Sequence, residues 1–338
     1  MRNVFTILFL LFSLTQANSQ EHIKSIFDCI YQAEGSPTIK IETNWNKLIN
    51  QKEDEAYLPG KVWMPGPNGT IDSFNVKVRA RGMMRKQVCF FPPIKIDFKR
   101  GELMKKGLDT AINKLKVVFQ CRTGTVNDEY LVKEELCYDL YKVVVPEVNL
   151  RVKQVKYDCV DNGKTKYDLV GLIVEDEKVL AERYKGKVIG VGRLMVPSLE
   201  KDIYQRMTVF QYMIANTDWS IPNKHNIEMI KVPAYPRIVP IAYDFDYAGL
   251  VGTSYAVPFE TLPIKSIFER YYMGHGITEE DAIALGKYFL SKKPDLIKTV
   301  DDFTPLTEKG RANVKKFLAP FFDILDNEKD VKRTFTQK

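Results

Sequence analysis

Ile214-Ala215-Asn216-Thr217-Asp218-Trp219-Ser220-Ile221-Pro222-Asn223-Lys224-His225-Asn226-Ile227-Glu228-Met229-Ile230, then a proline-rich turn, then Arg237-Ile238-Val239-Pro240-Ile241-Ala242-Tyr243-Asp244-Phe245-Asp246-Tyr247-Ala248-Gly249, is the stretch whose reading decides the fold. It reads as a helix end, a polar loop, a short apolar strand, a turn and a second apolar strand that stops at two carboxylates. Residues 214–249 are therefore expected to be a small hairpin with Asp218, Asn223, Asn226, Asp244 and Asp246 at its tips. Hard oxygen donors grouped this way suit Mg²⁺ or Mn²⁺ and, through the metal, a triphosphate.

What precedes the hairpin has a different character. Residues 74–81 and 94–99 alternate apolar and polar side chains, residues 115–119 form a third apolar run, and Asp161-Asn162-Gly163 is a hairpin turn between runs at 148–157 and 167–174. One amphipathic helix interrupts them, starting near Asn127, with Val132, Leu136, Leu140 and Val143 as its buried stripe. Residues 20–57 read as a mixed lead-in and 58–174 as a β-rich first lobe. Residues 175–338 read as a mainly helical second lobe entered through the acidic hinge Glu175-Asp176-Glu177. Helices are expected at 199–215, 264–272, 278–292, 295–301 and 306–325. The fold class is thus α+β, bilobal, with one helix in the β-rich lobe.

The N-terminus has the layout of an export signal over residues 1–19. Arg2 is the charged start, 4–14 the apolar core, and Ala17-Asn18-Ser19 a small-residue cleavage site. Secretion, or delivery to a periplasm or cell envelope, is expected. The apolar run is too short for stable membrane insertion. Cleavage would leave 49 Lys and Arg against 43 Asp and Glu, a net +6 spread along the chain, which gives no ground for nucleic-acid binding. Five cysteines (29, 89, 121, 137 and 159) allow one or two disulfides without fixing their pairing, and three scattered histidines argue against zinc.

The order of these segments resembles the CotH-type spore-coat kinases, a branch of the atypical protein-kinase-like fold that also holds the HipA-like kinases. Residues 76–82 resemble that family's strand ending in Arg-Gly, and 93–98 its lysine-bearing strand. Residues 167–175 resemble the strand entering the hinge. Asn216-Thr217-Asp218-Trp219 with a later Asn, and Tyr243-Asp244-Phe245-Asp246, resemble its catalytic and metal motifs. The similarity spans roughly residues 70–255 and lacks a G-x-G-x-x-G loop. It implies phosphoryl transfer from ATP to a hydroxyl, Ser or Thr of a secreted or surface protein being the expected acceptor, with Mg²⁺ or Mn²⁺ as cofactor.

Under that resemblance Asp218 is the catalytic carboxylate. Lys95 pairs phosphate, with Glu134 or Glu135 (Glu135 preferred) as its helix partner, and Glu175 borders the nucleotide. Asp244, Asp246 and one of Asn223 and Asn226 hold metal. Asn223 has the kinase loop spacing from Asp218, whereas Asn226 directly precedes the strand, and strand register favours Asn226. Two other outcomes stay open on the same scaffold: a catalytically silent binding or structural protein, and transfer of a nucleotidyl group.

Overall fold

A computed structural model describes residues 25–190, 192 and 194–336, with the side chains of 125–128 left out of account; the expected export signal lies outside the described residues. In chain order the elements begin with α1 (Ile26–Tyr31), β1 (Thr38–Thr43), α2 (Trp45–Asn50), β2 (Leu58–Pro65), β3 (Ile71–Ala80), α3 (Met84–Val88) and β4 (Ile94–Phe98). They continue with α4 (Arg100–Lys105), β5 (Lys114–Phe119), α5 (Thr125–Val144), β6 (Val152–Asp161) and β7 (Lys164–Val174). The second half holds α6 (Glu177–Arg183), β8 (Lys187–Val188), α7 (Lys201–Met213), β9 (Ile227–Lys231), β10 (Val239–Ala242), α8 (Glu279–Asp302), α9 (Glu308–Leu325) and α10 (Glu328–Phe335). Among the described residues no helix is long and apolar enough to cross a membrane.

The first seven strands close into a barrel in the order β1-β2-β3-β4-β5-β7-β6. Alternation does the work: on β4, Ile94, Ile96 and Phe98 are buried inside while Lys95 and Asp97 stay outside. Asn162 and Gly163, both at positive φ, turn β6 into β7 as the Asn-Gly pair requires. The lead-in is part of this lobe. Its strand β1 pairs antiparallel with β2 and parallel with β6, closing the barrel, and Ile26, Phe27 and Trp45 from the flanking helices join the barrel core.

The stripe of α5 faces the other way. Leu136, Leu140, Tyr141 and Val144 belong to the core of the helical lobe, together with Phe210, Phe245 and Phe289. The helix therefore fastens the barrel lobe to the helical lobe. Two helix expectations are corrected. Residues 250–277 contain neither helix nor strand, and the segment expected to be a helix at 264–272 is tied down instead by Arg270, which donates to Met213 O and Phe317 O. The two helices expected at 278–292 and 295–301 are one, α8, which accommodates Pro294. One disulfide, Cys89–Cys121, links the segment after α3 to the end of β5, and Cys29, Cys137 and Cys159 are buried thiols.

Candidate functional site

The site is built where α7 stops. Ala215 takes a left-handed conformation (φ 53°). Its N–H donates to Tyr212 O (3.1 Å) and that of Asn216 donates to Gln211 O (2.8 Å), the paired bonds of a Schellman termination. Asn216 is buried and turns its amide both ways: Nδ2 donates to Gln211 Oε1, and Oδ1 accepts the N–H of Asp218. That anchors the loop two residues before its carboxylate.

Asp218 is then fixed from the far end of the loop. Asn226 Nδ2 donates to both Asp218 O (2.8 Å) and Asp218 Oδ2 (3.0 Å), and His225 Nε2 lies 2.8 Å from Oδ1. Asn226 is buried and sits at φ 54°, a conformation Asn tolerates better than most residues. Asn223 is on an exposed turn, where its backbone N–H meets Ser220 Oγ. The structure thus brings Asn226, and not Asn223, to Asp218. Burial raises the Asp218 pKa above the usual carboxylate range, with His225 opposing and Asp246 adding to the rise.

Asp244 lies beyond the end of β10, also left-handed (φ 59°). Its N–H donates to Tyr138 OH of α5 (2.9 Å), and Tyr243 N–H donates to Asn226 O (3.1 Å), tying the two carboxylate loops together. Phe245 points into the core against Tyr138 (4.8 Å between ring centres) and Phe210 (5.6 Å). The clip is completed by Gly249 N–H to Ala215 O (3.0 Å) and Leu250 N–H to Ile214 O (3.1 Å). A side chain at Gly249 would stand 2.3 Å from Ile267 O, so glycine is required there by close approach.

Asp246 does not follow Asp244 along an extended strand. Asp246 is buried, accepts a hydrogen bond from Tyr255 OH at Oδ2 (2.9 Å) and faces Arg85 Nε at 3.8 Å. Arg85 comes from α3, and its Nη1 donates to Glu134 Oε2 of α5 at 3.1 Å. Burial, then Asp244, push Asp246 up to about 6 against the pull of Arg85. Burial likewise pushes Glu134 to about 8, and Arg85 is held all the more firmly charged by its acidic surroundings.

Three sequence expectations are redirected here. The Lys95–Glu135 pair is not formed: Glu134 is the glutamate that faces the carboxylate cluster, and its partner is Arg85. Glu135 instead accepts the backbone N–H of Gln154, and burial with Asp139 nearby raises it to about 7. The Glu175 side chain is already engaged within the protein. It is clamped by Arg151 Nε (2.9 Å) and Arg183 Nη2 (2.7 Å) and pins the hinge.

Lys95 stands elsewhere in the cleft, in a row across three strands, where Arg79 of β3 is opposite Lys95 of β4, itself opposite Lys116 of β5. Both ends of the row are neutralised, Arg79 by Glu55 and Lys116 by Asp176 (3.3 Å) and Glu177 (2.6 Å). Lys95 has no acidic partner among the described residues, and burial, then Arg79, Arg81, Lys116 and Lys114, push its pKa down. A half-buried cation among cations calls for an anion. The row reaches the hinge through Lys116, whose charge is felt by Glu228 of β9, while Arg81 acts on Asp244. Lys95 itself stands between Arg79 and Lys116 on the outer face of the barrel.

The fit to a divalent cation rests on this donor set. Glu134, Asp244 and Asp246 are three carboxyl groups buried together, with the guanidinium of Arg85 among them and Arg81 acting on Asp244; burial and repulsion from neighbouring carboxylates raise all three, so a further cation would be favoured there. Asn226 Oδ1 and the carboxylate of Asp244 are hard oxygens of the kind Mg²⁺ or Mn²⁺ takes. Among the described residues no group of three or more His, Cys, Asp or Glu side chains is placed to hold a metal ion by itself, so an ion here would depend on water and phosphate for most of its shell.

Scans against protein-family models and curated proteins give no match. Among solved structures, the proinflammatory kinase CtkA of Helicobacter pylori aligns with 76% of this chain and 94% of its own, at 9% identity and a TM-score of 0.38. At that distance the likeness carries no argument, and the site's geometry has to.

Proposed function

We propose that this protein is an exported, metal-dependent kinase of the CotH type that transfers the γ-phosphoryl group of ATP to a hydroxyl, Ser or Thr of a secreted or surface protein. The single observation that supports it best is the face-to-face arrangement of the cleft. On one wall Asp218 is held by Asn226 and His225 beside Asp244. On the other, Arg81 acts on Asp244, and Lys95, in the row between Arg79 and Lys116, has cationic charge without an acidic partner among the described residues. A polyphosphate with its metal satisfies both walls at once.

In this reading Asp218 accepts the proton of the acceptor hydroxyl as its oxygen bonds to the γ-phosphorus. The bridging P–O bond breaks, and its electron pair leaves on the β-phosphate of ADP. Asn226 fixes the carboxylate toward the acceptor, and Lys95 and Arg81 hold the phosphate tail. Asp244 and Asn226, with Asp246 beside them, would hold Mg²⁺ or Mn²⁺, which when bound neutralises the charge that builds on the phosphate oxygens. Glu134 and Arg85 position the carboxylate cluster from behind.

A specific observation favours a second reading, a catalytically silent binding protein on the same scaffold: Arg85 already supplies a positive charge 3.8 Å from Asp246. Thermal unfolding separates the two. The kinase reading expects ATP with Mg²⁺ or Mn²⁺ to raise the melting temperature, a ligand at 100 times its Kd adding about 2.7 kcal/mol. It expects the gain to vanish in Asp244→Asn. No gain in the native protein, or a gain that persists in Asp244→Asn, contradicts it.

A further inference from the structure

Two cavities lie next to the chain neighbours of Asp218, Trp219 lining both and Thr217 one of them. The first, about 600 Å³, is bounded by Leu194, Met195, Ile221, Pro222, Trp219 and Met273. The second, about 420 Å³, adds Thr217, His225, Phe259 and Leu262 to the same Trp219 and Met273. Trp219, Ser220 and Met273 line both, so they form the ridge between two compartments of one groove, and Trp219 directly follows Asp218 in the chain. No Asp, Glu, Lys or Arg lines either compartment, although 28% of the chain is charged.

The groove walls are set firmly. The His275 N–H donates to Tyr204 OH of α7 (3.0 Å), which fastens the 273–275 segment to the helix that carries the catalytic loop. The ridge also holds an unused donor: the indole N–H of Trp219 is buried with no hydrogen-bond partner among the described residues. At the rims, Met195 is 71% and Phe259 is 49% exposed, large apolar side chains left facing water.

We infer that this groove takes an extended acceptor polypeptide whose residues on either side of the phosphorylated hydroxyl carry apolar side chains. The inference rests on the kinase reading for the position of the hydroxyl, and on the groove alone for the chemistry of its neighbours. Charge complementarity selects the occupant: with no Asp, Glu, Lys or Arg in either compartment and His225 already engaged by Asp218, a charged neighbour would be desolvated without an opposite charge to meet it. Two compartments that share one ridge suit two side chains of a single polypeptide. A single small apolar molecule fills one compartment and leaves the other.

The test uses the full chain and two labelled serine heptapeptides, one with Leu and Phe flanking the serine, the other with Asp and Lys there. Binding is read by fluorescence anisotropy, which needs no turnover, and the thermal shift with ATP and Mn²⁺ is measured in parallel. The apolar-flanked peptide is expected to bind at least tenfold more tightly. Met195→Asp, at the exposed rim, should lower that preference at least fivefold and leave the nucleotide shift intact. Equal binding of the two peptides with the shift intact overturns the groove and leaves the kinase reading standing. An apolar dye that fills the groove and is not displaced by the apolar-flanked peptide also overturns it. A peptide preference without a nucleotide shift supports the groove and defeats the kinase reading.

Discussion

Two cations on the same lobe, Lys95 and Arg85, behave in opposite ways, and substitution separates them. Arg85 is one half of a buried pair, so Arg85→Ala leaves Glu134 and Asp246 uncompensated and should cost about 3–5 kcal/mol of stability by chemical denaturation. Lys95 has only like charges around it, so Lys95→Ala should leave stability unchanged or slightly higher while weakening ATP binding by about tenfold, or ~1.4 kcal/mol. Equal loss of stability in both would contradict the division of roles. Glu135 gives a pH signature. Its pKa is raised to about 7 in the folded protein against about 4.3 when unfolded, so the native state holds a proton that the unfolded chain has lost. Its contribution is therefore fully present below about pH 4 and is lost as pH rises toward 7. Melting temperatures from pH 5 to 8 should fall less steeply in Glu135→Gln than in the native protein; parallel curves would refute the assignment. Asp218, Asn226 and Asp244 were legible in the sequence because one short hairpin carries them. Arg85 was not, since nothing local marks it: its glutamate is 49 residues away and only the barrel brings them together.

At the scale of elements, the site depends on three joints: the Schellman end of α7, the two hydrogen bonds from 249–250 back to 214–215, and the contact of Tyr138 on α5 with Asp244. Gly249 is where this tolerates least. Gly249→Ala forces a methyl against Ile267 O and the Ala215 side chain, and should destabilise by about 1–3 kcal/mol. Because the strained segment bears Asp246, transfer activity should fall in the same variant. A native melting curve for Gly249→Ala would show the clip to be dispensable. Alternation and turn residues made β3, β4, β5 and the β6–β7 hairpin readable in the chain. The strand β1 was hidden because its partners, β2 and β6, include one more than a hundred residues later. The run at 264–272 looked helical from its apolar spacing, yet it is held irregular by tertiary bonds, Arg270 donating to Met213 O (3.1 Å) and to Phe317 O (2.6 Å).

For the whole molecule, a closed barrel and a helical lobe meet along α5, and every group assigned to chemistry faces the seam between them. The lobe order and the hinge were readable from the change of periodicity at residue 175; the closure of the barrel and the docking of α5 onto the helical core were not, because both depend on contacts between segments distant in the chain. The central claim is that Asp218 serves phosphoryl transfer in this seam. The direct measurement is incubation of the purified chain with γ-labelled ATP, Mn²⁺ or Mg²⁺ and a serine- and threonine-containing peptide mixture, with Asp218→Ala alongside. The account predicts metal-dependent label on a peptide hydroxyl, reduced at least ~100-fold in Asp218→Ala while the ATP-induced thermal shift is kept. Label that is equal in the two proteins, or no label from a native protein that binds ATP, would contradict it.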